Sequence, residues 1–434
     1  MKIGILGAGI AGMTAAYELT QAGCRTTVFE ATPVAGGLAS GFRDERWNWP
    51  LERFYHHIFT TDTAIIKLAE TIGYGDKLFF RGQVTAQWWR GQGYDLNGPL
   101  QVLQFPALPP IDRLRFGAVA FYLKYLTNNW QRLEQTTAAR WTSRWAGRRA
   151  YNLLWRPLLE GKFGPHADEV NMAWLWARLK ARSFKLGYFS GGFQGFCDAL
   201  LTAIRNSGTD VRLGTPISAL HQLGDGRWEV IAPGLPAEIF DRVLVTGAPG
   251  LLRRLTPQLP SGYLSRLEQL RSMGAVVMTL ALNRPLTNGL YWMNMPKDEF
   301  PFLALVEHTN FIEPEHYGGD HLIYLGDYLE PSHRYFRMSQ DELLAEFIPA
   351  IQKVNPHFDR TWIRASWLHR EPYAQPIVPV NHGAAIPPLA TPLRGLYWAS
   401  MSQVYPWDRG TNFAVELGQR VAKEMAASGS ALPM

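Results

Sequence analysis

The chain has 434 residues, of which 47% are hydrophobic and 18% charged, with a formal net charge of +6. That composition excludes a disordered or fibrous chain and allows two or three domains around a large core. Two cysteines, Cys24 and Cys197, exclude a disulfide framework and a cysteine metal site, and point to a reducing, cytoplasmic setting.

The first predicted unit is a strand, a turn and a helix. Ile3, Ile5 and Leu6 make a short buried strand, and Gly7-Ala8-Gly9-Ile10-Ala11-Gly12 follows as G-x-G-x-x-G. Ala15, Ala16 and Leu19 then form the apolar face of a helix that ends near Gly23. A secretory signal does not fit: the glycines break the apolar run, Glu18 and Gln21 interrupt it, and only Lys2 precedes it. In this pattern Gly7 permits the turn, Gly9 lets a pyrophosphate approach the backbone, and Gly12 lets the helix pack close to the sheet. The helix N-terminus offers free N–H groups to phosphate. A second strand, Thr26 to Phe29, ends on Glu30, with Ala31 beside it. An acid there accepts both ribose hydroxyls and repels a 2′-phosphate, so the nucleotide is FAD or NAD rather than NADP. A second glycine pair, Gly36-Gly37, leads into Leu38-Ala39.

Gly36-Gly37 after the ribose-binding acid resembles the flavin-supporting turn of the amine oxidase, protoporphyrinogen oxidase and carotenoid desaturase superfamily. Leu38 stands where many of its members carry Arg, as in branches similar to protoporphyrinogen oxidases and UDP-galactopyranose mutases. The resemblance implies an α/β fold with a Rossmann-type, glutathione-reductase-like FAD-binding domain. It also implies a substrate domain of sheet plus helical insertion, and non-covalent FAD. Later blocks match in order. Tyr188-Phe189-Ser190-Gly191-Gly192-Phe193 looks like the turn re-entering the FAD domain, and Ile217 stands at the position whose backbone meets adenine. Ala248-Pro249 ends a strand near the cofactor, and Gly410-Thr411-Asn412 opens the final helix beneath the isoalloxazine. The implied domains are 1–80, 188–254 and 394–434 for FAD, 81–187 as a mostly helical insertion, and 255–393 for substrate.

That helical insertion is basic: from Arg113 to Lys185 fourteen Lys and Arg face four acids. With the nearly all-apolar segment Arg113 to Leu126, it is expected to be buried or to lie on an anionic membrane. The longest uncharged run, 372–393, holds six prolines and cannot span a membrane. Sixteen Trp and 17 Tyr suit a roomy aromatic pocket.

Phe54-Tyr55-His56-His57-Ile58-Phe59 resembles the histidine turn of UDP-galactopyranose mutases, which lies near the flavin. His56 and His57 are therefore candidate proton relays, and Tyr405 and Trp407 candidate aromatic walls beside the flavin. No Lys occurs from Met273 to Leu282, where amine oxidases place one near N5, and the mutase arginine between two tyrosines is absent from Tyr405-Pro406-Trp407, with Arg409 nearby. No metal cluster stands out. The leading expectation is dehydrogenation of a bulky, largely apolar small molecule by hydride transfer to flavin N5. A mutase-like isomerase of a nucleotide or lipid-linked sugar and a non-catalytic flavin-binding protein are the alternatives. The expected partners are a small-molecule substrate and, through the basic insertion, a membrane surface, with no nucleic acid; the oligomeric state is left open.

Overall fold

A computed structural model describes residues 1–96, 98, 101 and 104–427. The end of the predicted FAD range, from 428 on, and a few positions near 100 lie outside the described residues.

Short β-branched and apolar runs near the two ends and the middle of the chain meet in one parallel five-stranded sheet. Its order is Asp210–Arg212, Arg25–Phe29, Lys2–Leu6, Arg242–Thr246, Leu396–Ala399. Parallel strands need both faces covered, which explains their near-continuous apolar character. Helix Ile10–Gln21 follows the first strand, and the C-terminal helix Thr411–Ala427 crosses it so closely that a Cβ on Gly418 would lie 2.5 Å from the Ala11 carbonyl oxygen.

A seven-stranded sheet forms the second layer, in the order Ile363–Pro376, Ser272–Leu282, His321–Leu329, Ala304–Glu307, Trp292–Asn294, Thr85–Trp89, Gln92–Asp95. Its last two strands come from the stretch expected to be mostly helical. Thr85–Trp89 is rich in β-formers, and Arg90 and Gly91 both adopt positive φ (50° and 83°), as a tight two-residue hairpin requires. The helices of the insertion include Pro110–Phe121, Ala138–Trp145, Arg156–Phe163 and Met172–Ala181. They share an apolar core containing Trp155, Leu159, Phe163, Trp174 and Trp176.

Candidate active site

The nucleotide end is set by three glycines with different reasons to be glycine. Gly7 has φ +108°, and a Cβ there would lie 2.4 Å from Thr246 Oγ1. A Cβ on Gly12 would lie 2.0 Å from the Gly7 carbonyl oxygen, so the helix can pass the turn only as glycine. Gly9 has an ordinary φ of −71°, and the nearest atom to its absent Cβ is Gly37 Cα at 3.9 Å. Packing within the protein does not require glycine at position 9, whereas a phosphate seated against that backbone does. The second glycine pair joins the first: Gly36 N–H donates to the Ala8 carbonyl at 2.8 Å, and Gly9 and Gly36 form a parallel bridge. Leu38 and Ala39 follow in the 3-10 turn Gly37–Ala39, with Ala39 buried.

Glu30 stands at the end of the second strand. Its carboxylate accepts from Ala8 N–H (2.8 Å), Thr32 N–H (2.9 Å) and Thr32 Oγ1 (2.8 Å), and keeps lone pairs for ribose hydroxyls. Ala31, beside it, is exposed. Gly214 and Thr215 donate to the carbonyls of Thr32 and Glu30, which carries the half-buried Ile217 past the same edge. Ala248 is the N-cap of helix Pro249–Leu255. Gly410 precedes helix Thr411–Ala427, whose first-turn N–H groups lack intrahelical acceptors and suit a negative group. Thr411 and Asn412 are buried, but the Asn412 side chain is engaged elsewhere: its Oδ1 accepts from Ala64 N–H (2.9 Å) and Ile65 N–H (3.2 Å), capping helix Thr63–Thr71. This donor and acceptor set fits FAD.

His56 and His57 lie on the short loop before strand Ile58–Phe59. His56 donates from Nδ1 to the Phe54 carbonyl (2.5 Å). Burial, reinforced by the charge of Arg409, pulls its pKa down to about 4. His57 is pulled down to about 3, by burial first and then by Arg182, His56, Arg178 and Lys162. Its Nδ1 is buried and finds no hydrogen-bond partner among the described residues. Both imidazoles are therefore neutral near pH 7. The His57 ring meets Phe59 and Trp292 edge-on, and Tyr55 packs on Trp292 and Tyr324.

Tyr405 and Trp407, expected beside the flavin, sit where the insertion meets the final helix. The Tyr405 hydroxyl donates to Glu134 Oε2 (2.8 Å) and accepts from Asn171 Nδ2 (3.1 Å), while its ring meets Trp130 and His382. Trp407 stacks on Phe413 and leans on Trp176. Of the next residues along the chain, Arg409 lies near enough to act on His56, and Asp408 sits beside it. Asp408 Oδ1 accepts from Trp174 Nε1 (3.0 Å) and Gln375 Nε2 (3.2 Å), and Oδ2 from Arg178 Nη1 (3.0 Å). Burial opposes its ionisation, yet Lys162, Arg178 and Arg409 hold its carboxyl down at about 2. The Arg409 guanidinium lies 5.1 Å from the Tyr328 ring centroid and donates to the Tyr328 hydroxyl. Lys162, 8% exposed, places its ammonium 4.5 Å from the centre of the same ring.

Sequence reasoning passed over Lys162, Arg178 and Asp408 and left Arg409 without a role. One signal was available: Lys162 sits three residues after Leu159 and one before Phe163, both fully buried, so a charge stands on the buried face of its helix.

The sequence model of the flavin containing amine oxidoreductase family matches residues 10–426. Hydroxysqualene dehydroxylase of Sinorhizobium fredii is 35% identical over 72 residues, which is 17% of this chain and 17% of that protein. The aligned stretches cover only 5% to 17% of the curated relatives. Among solved structures, a putative protoporphyrinogen oxidase from Exiguobacterium sp. 255-15 superposes with a TM-score of 0.76 at 18% identity, over 98% of this chain and 99% of that one. Reduced UDP-galactopyranose mutase superposes with a TM-score of 0.75 at 17% identity, over 100% and 96%. At these identities the superpositions show the shared fold.

Proposed function

Because this chain belongs to the flavin containing amine oxidoreductase family, we propose that it is a FAD-dependent oxidoreductase acting on a bulky small molecule with a large apolar part. The observation that carries the cofactor reading is Gly9, a glycine that protein packing does not require, facing the joined second turn and the Glu30 carboxylate. FAD, held non-covalently, supplies the hydride acceptor at N5. Gly7, Gly9 and Gly12 receive its phosphates, Glu30 its ribose, and the start of helix Thr411–Ala427 its ring system. The substrate's apolar part lies against Tyr55 and Trp292, whose rings pack edge-on. His57, neutral and with Nδ1 unpartnered, hydrogen-bonds the substrate at the carbon or heteroatom that loses a proton.

The test is anaerobic reduction of the purified yellow protein by candidate substrates. Denaturation should release FAD, and Glu30→Arg should lower FAD content. Release of NAD, or of no nucleotide, would refute the cofactor reading. A mutase-like isomerisation is the second reading, supported by the histidine loop; it requires turnover that depends on dithionite and leaves the substrate's redox state unchanged.

The insertion also supports a partner. Among the described residues, eight of the eleven exposed large hydrophobic side chains lie between 111 and 184, including Ile111, Leu114, Phe121, Tyr125, Leu126 and Trp145. Helix Pro110–Phe121 buries no residue at all, and Arg115, Arg144, Arg148 and Arg149 are exposed around it. An amphipathic, basic face of this kind suits an anionic membrane surface, which we propose it contacts without crossing; no described helix is long and apolar enough to cross a membrane.

A further inference from the structure

Buried carboxyl groups elsewhere among the described residues have partners. Glu52, 1% exposed, accepts from Tyr188 Oη (2.7 Å) and Phe193 N–H (2.6 Å), and Asp320 pairs with Arg364. The joint between the insertion and the flavin segment is different. There Lys162 from helix Arg156–Phe163, Arg178 from helix Met172–Ala181 and Arg409 share a single carboxylate, Asp408. Arg409 Nε is buried and finds no acceptor among the described residues, and the Lys162 ammonium faces the Tyr328 ring, on which the Arg409 guanidinium also lies. Burial and the nearby Arg178 and Arg409 together hold the Lys162 ammonium well below its usual range. An excess of positive charge at a buried site is costly unless an anion joins it. Tyr55 and Tyr328 add hydroxyl groups in the same neighbourhood, and the two histidines are neutral, so no described side chain supplies that anion.

We propose that Lys162, Arg178 and Arg409 form a subsite for a phosphate or diphosphate group carried by the substrate. Its role as a substrate subsite rests on the oxidoreductase reading above. The pyrophosphate of FAD does not serve as the anion, because its cradle is built from the Gly7 to Gly12 turn and not from these segments. A tetrahedral oxyanion fits better than a carboxylate: three cations with separate directions of approach can each reach a different oxygen. The substrate then has a phosphorylated end at this joint and an apolar body along Tyr55 and Trp292.

The experiment titrates the flavin-loaded protein with pyrophosphate, inorganic phosphate and acetate, reading the thermal midpoint and the flavin absorption spectrum. Pyrophosphate should raise the midpoint most and acetate least. Lys162→Met should melt higher than wild type in anion-free buffer, because an uncompensated buried charge is gone, and should bind pyrophosphate at least tenfold more weakly. Lys162→Arg should retain binding. Dodecyl phosphate should compete with pyrophosphate; tighter binding than pyrophosphate assigns a lipid-borne phosphate, weaker binding a water-soluble one. A yellow wild-type protein indifferent to pyrophosphate, unchanged affinity in Lys162→Met, or absence of competition would overturn the subsite. A colourless protein that still responds to pyrophosphate would overturn the oxidoreductase reading and leave the subsite standing.

Discussion

Gly9→Ala and Gly12→Ala separate two reasons for a glycine in the nucleotide turn. At Gly9 the backbone is already in a region any residue adopts, and the nearest atom to a new Cβ lies 3.9 Å away, at ordinary van der Waals contact. The apoprotein should lose no stability, and loss of unfolded-state freedom can add about 0.4–1 kcal/mol. A methyl group pressed against the phosphate should weaken FAD binding at least tenfold, about 1.4 kcal/mol. At Gly12 a Cβ would sit 2.0 Å from a backbone carbonyl oxygen, far inside contact distance. Helix Ile10–Gln21 must move off the sheet, at about 1–3 kcal/mol or more by the cost of overpacking. The assay is paired: thermal melts of flavin-stripped protein, then FAD titration by quenching of flavin fluorescence. Wild-type FAD affinity in Gly9→Ala would refute the assignment, and so would a Gly9→Ala apoprotein destabilised as much as Gly12→Ala.

Burial lifts the Glu52 carboxyl to about 7 from its ordinary 4.5. Between those values the unfolded chain has released a proton that the folded chain keeps, so stability should fall as pH rises through that window, by up to about 3 kcal/mol. Glu52→Gln should flatten that slope in denaturant midpoints measured at pH 5 and pH 8; parallel slopes would count against it. Asn412→Ala removes the acceptor for two N–H groups at the start of helix Thr63–Thr71 and should cost about 1 kcal/mol in a thermal or urea melt. Phe121→Glu combined with Leu114→Glu should abolish sedimentation with anionic vesicles, and wild-type binding should weaken with salt, which screens over about 8 Å at physiological ionic strength. Salt-independent binding, or no binding by wild type, would remove the membrane contact. His57→Ala should slow flavin reduction by substrate about 100-fold or more while leaving FAD content intact; unchanged kinetics would leave His57 a packing residue.

What could be read before the fold was known is what neighbouring residues decide together. Gly7 to Gly12 and Glu30 act within one strand–turn–helix unit, so their spacing carries their meaning. The joining of Gly36 to Ala8 was not in the pattern, although both turns were, because a bridge between two loops depends on where their strands lie in the sheet. The hairpin at Thr85–Asp95 was absorbed into a helical expectation, since its β-forming run is short and its edge partner, Trp292–Asn294, lies some two hundred residues on. The cation cluster was the least legible. Arg178 and Asp408 carry no signal in their local sequence and Lys162 only its place on a buried helix face, and their coupling exists only once the insertion packs on the flavin segment. Tyr405 is similar: its place before the last helix says nothing of Glu134 and Asn171, the distant residues that bond its hydroxyl.

The five-stranded sheet also sets a schedule for the newborn chain. Its central strand, Lys2–Leu6, is made 240 positions before the Thr246 hydroxyl that bonds back to the Leu6 carbonyl. At ribosomal speeds of about 5–20 residues per second, Lys2–Leu6 waits roughly 10–50 s for that neighbour and longer for Leu396–Ala399. Until then the glycine turn has no Thr246 behind it, and the start of the helix Thr63–Thr71 lacks the Asn412 cap. A chain halted before Leu396–Ala399 would leave the Arg242–Thr246 edge of that apolar sheet unpaired.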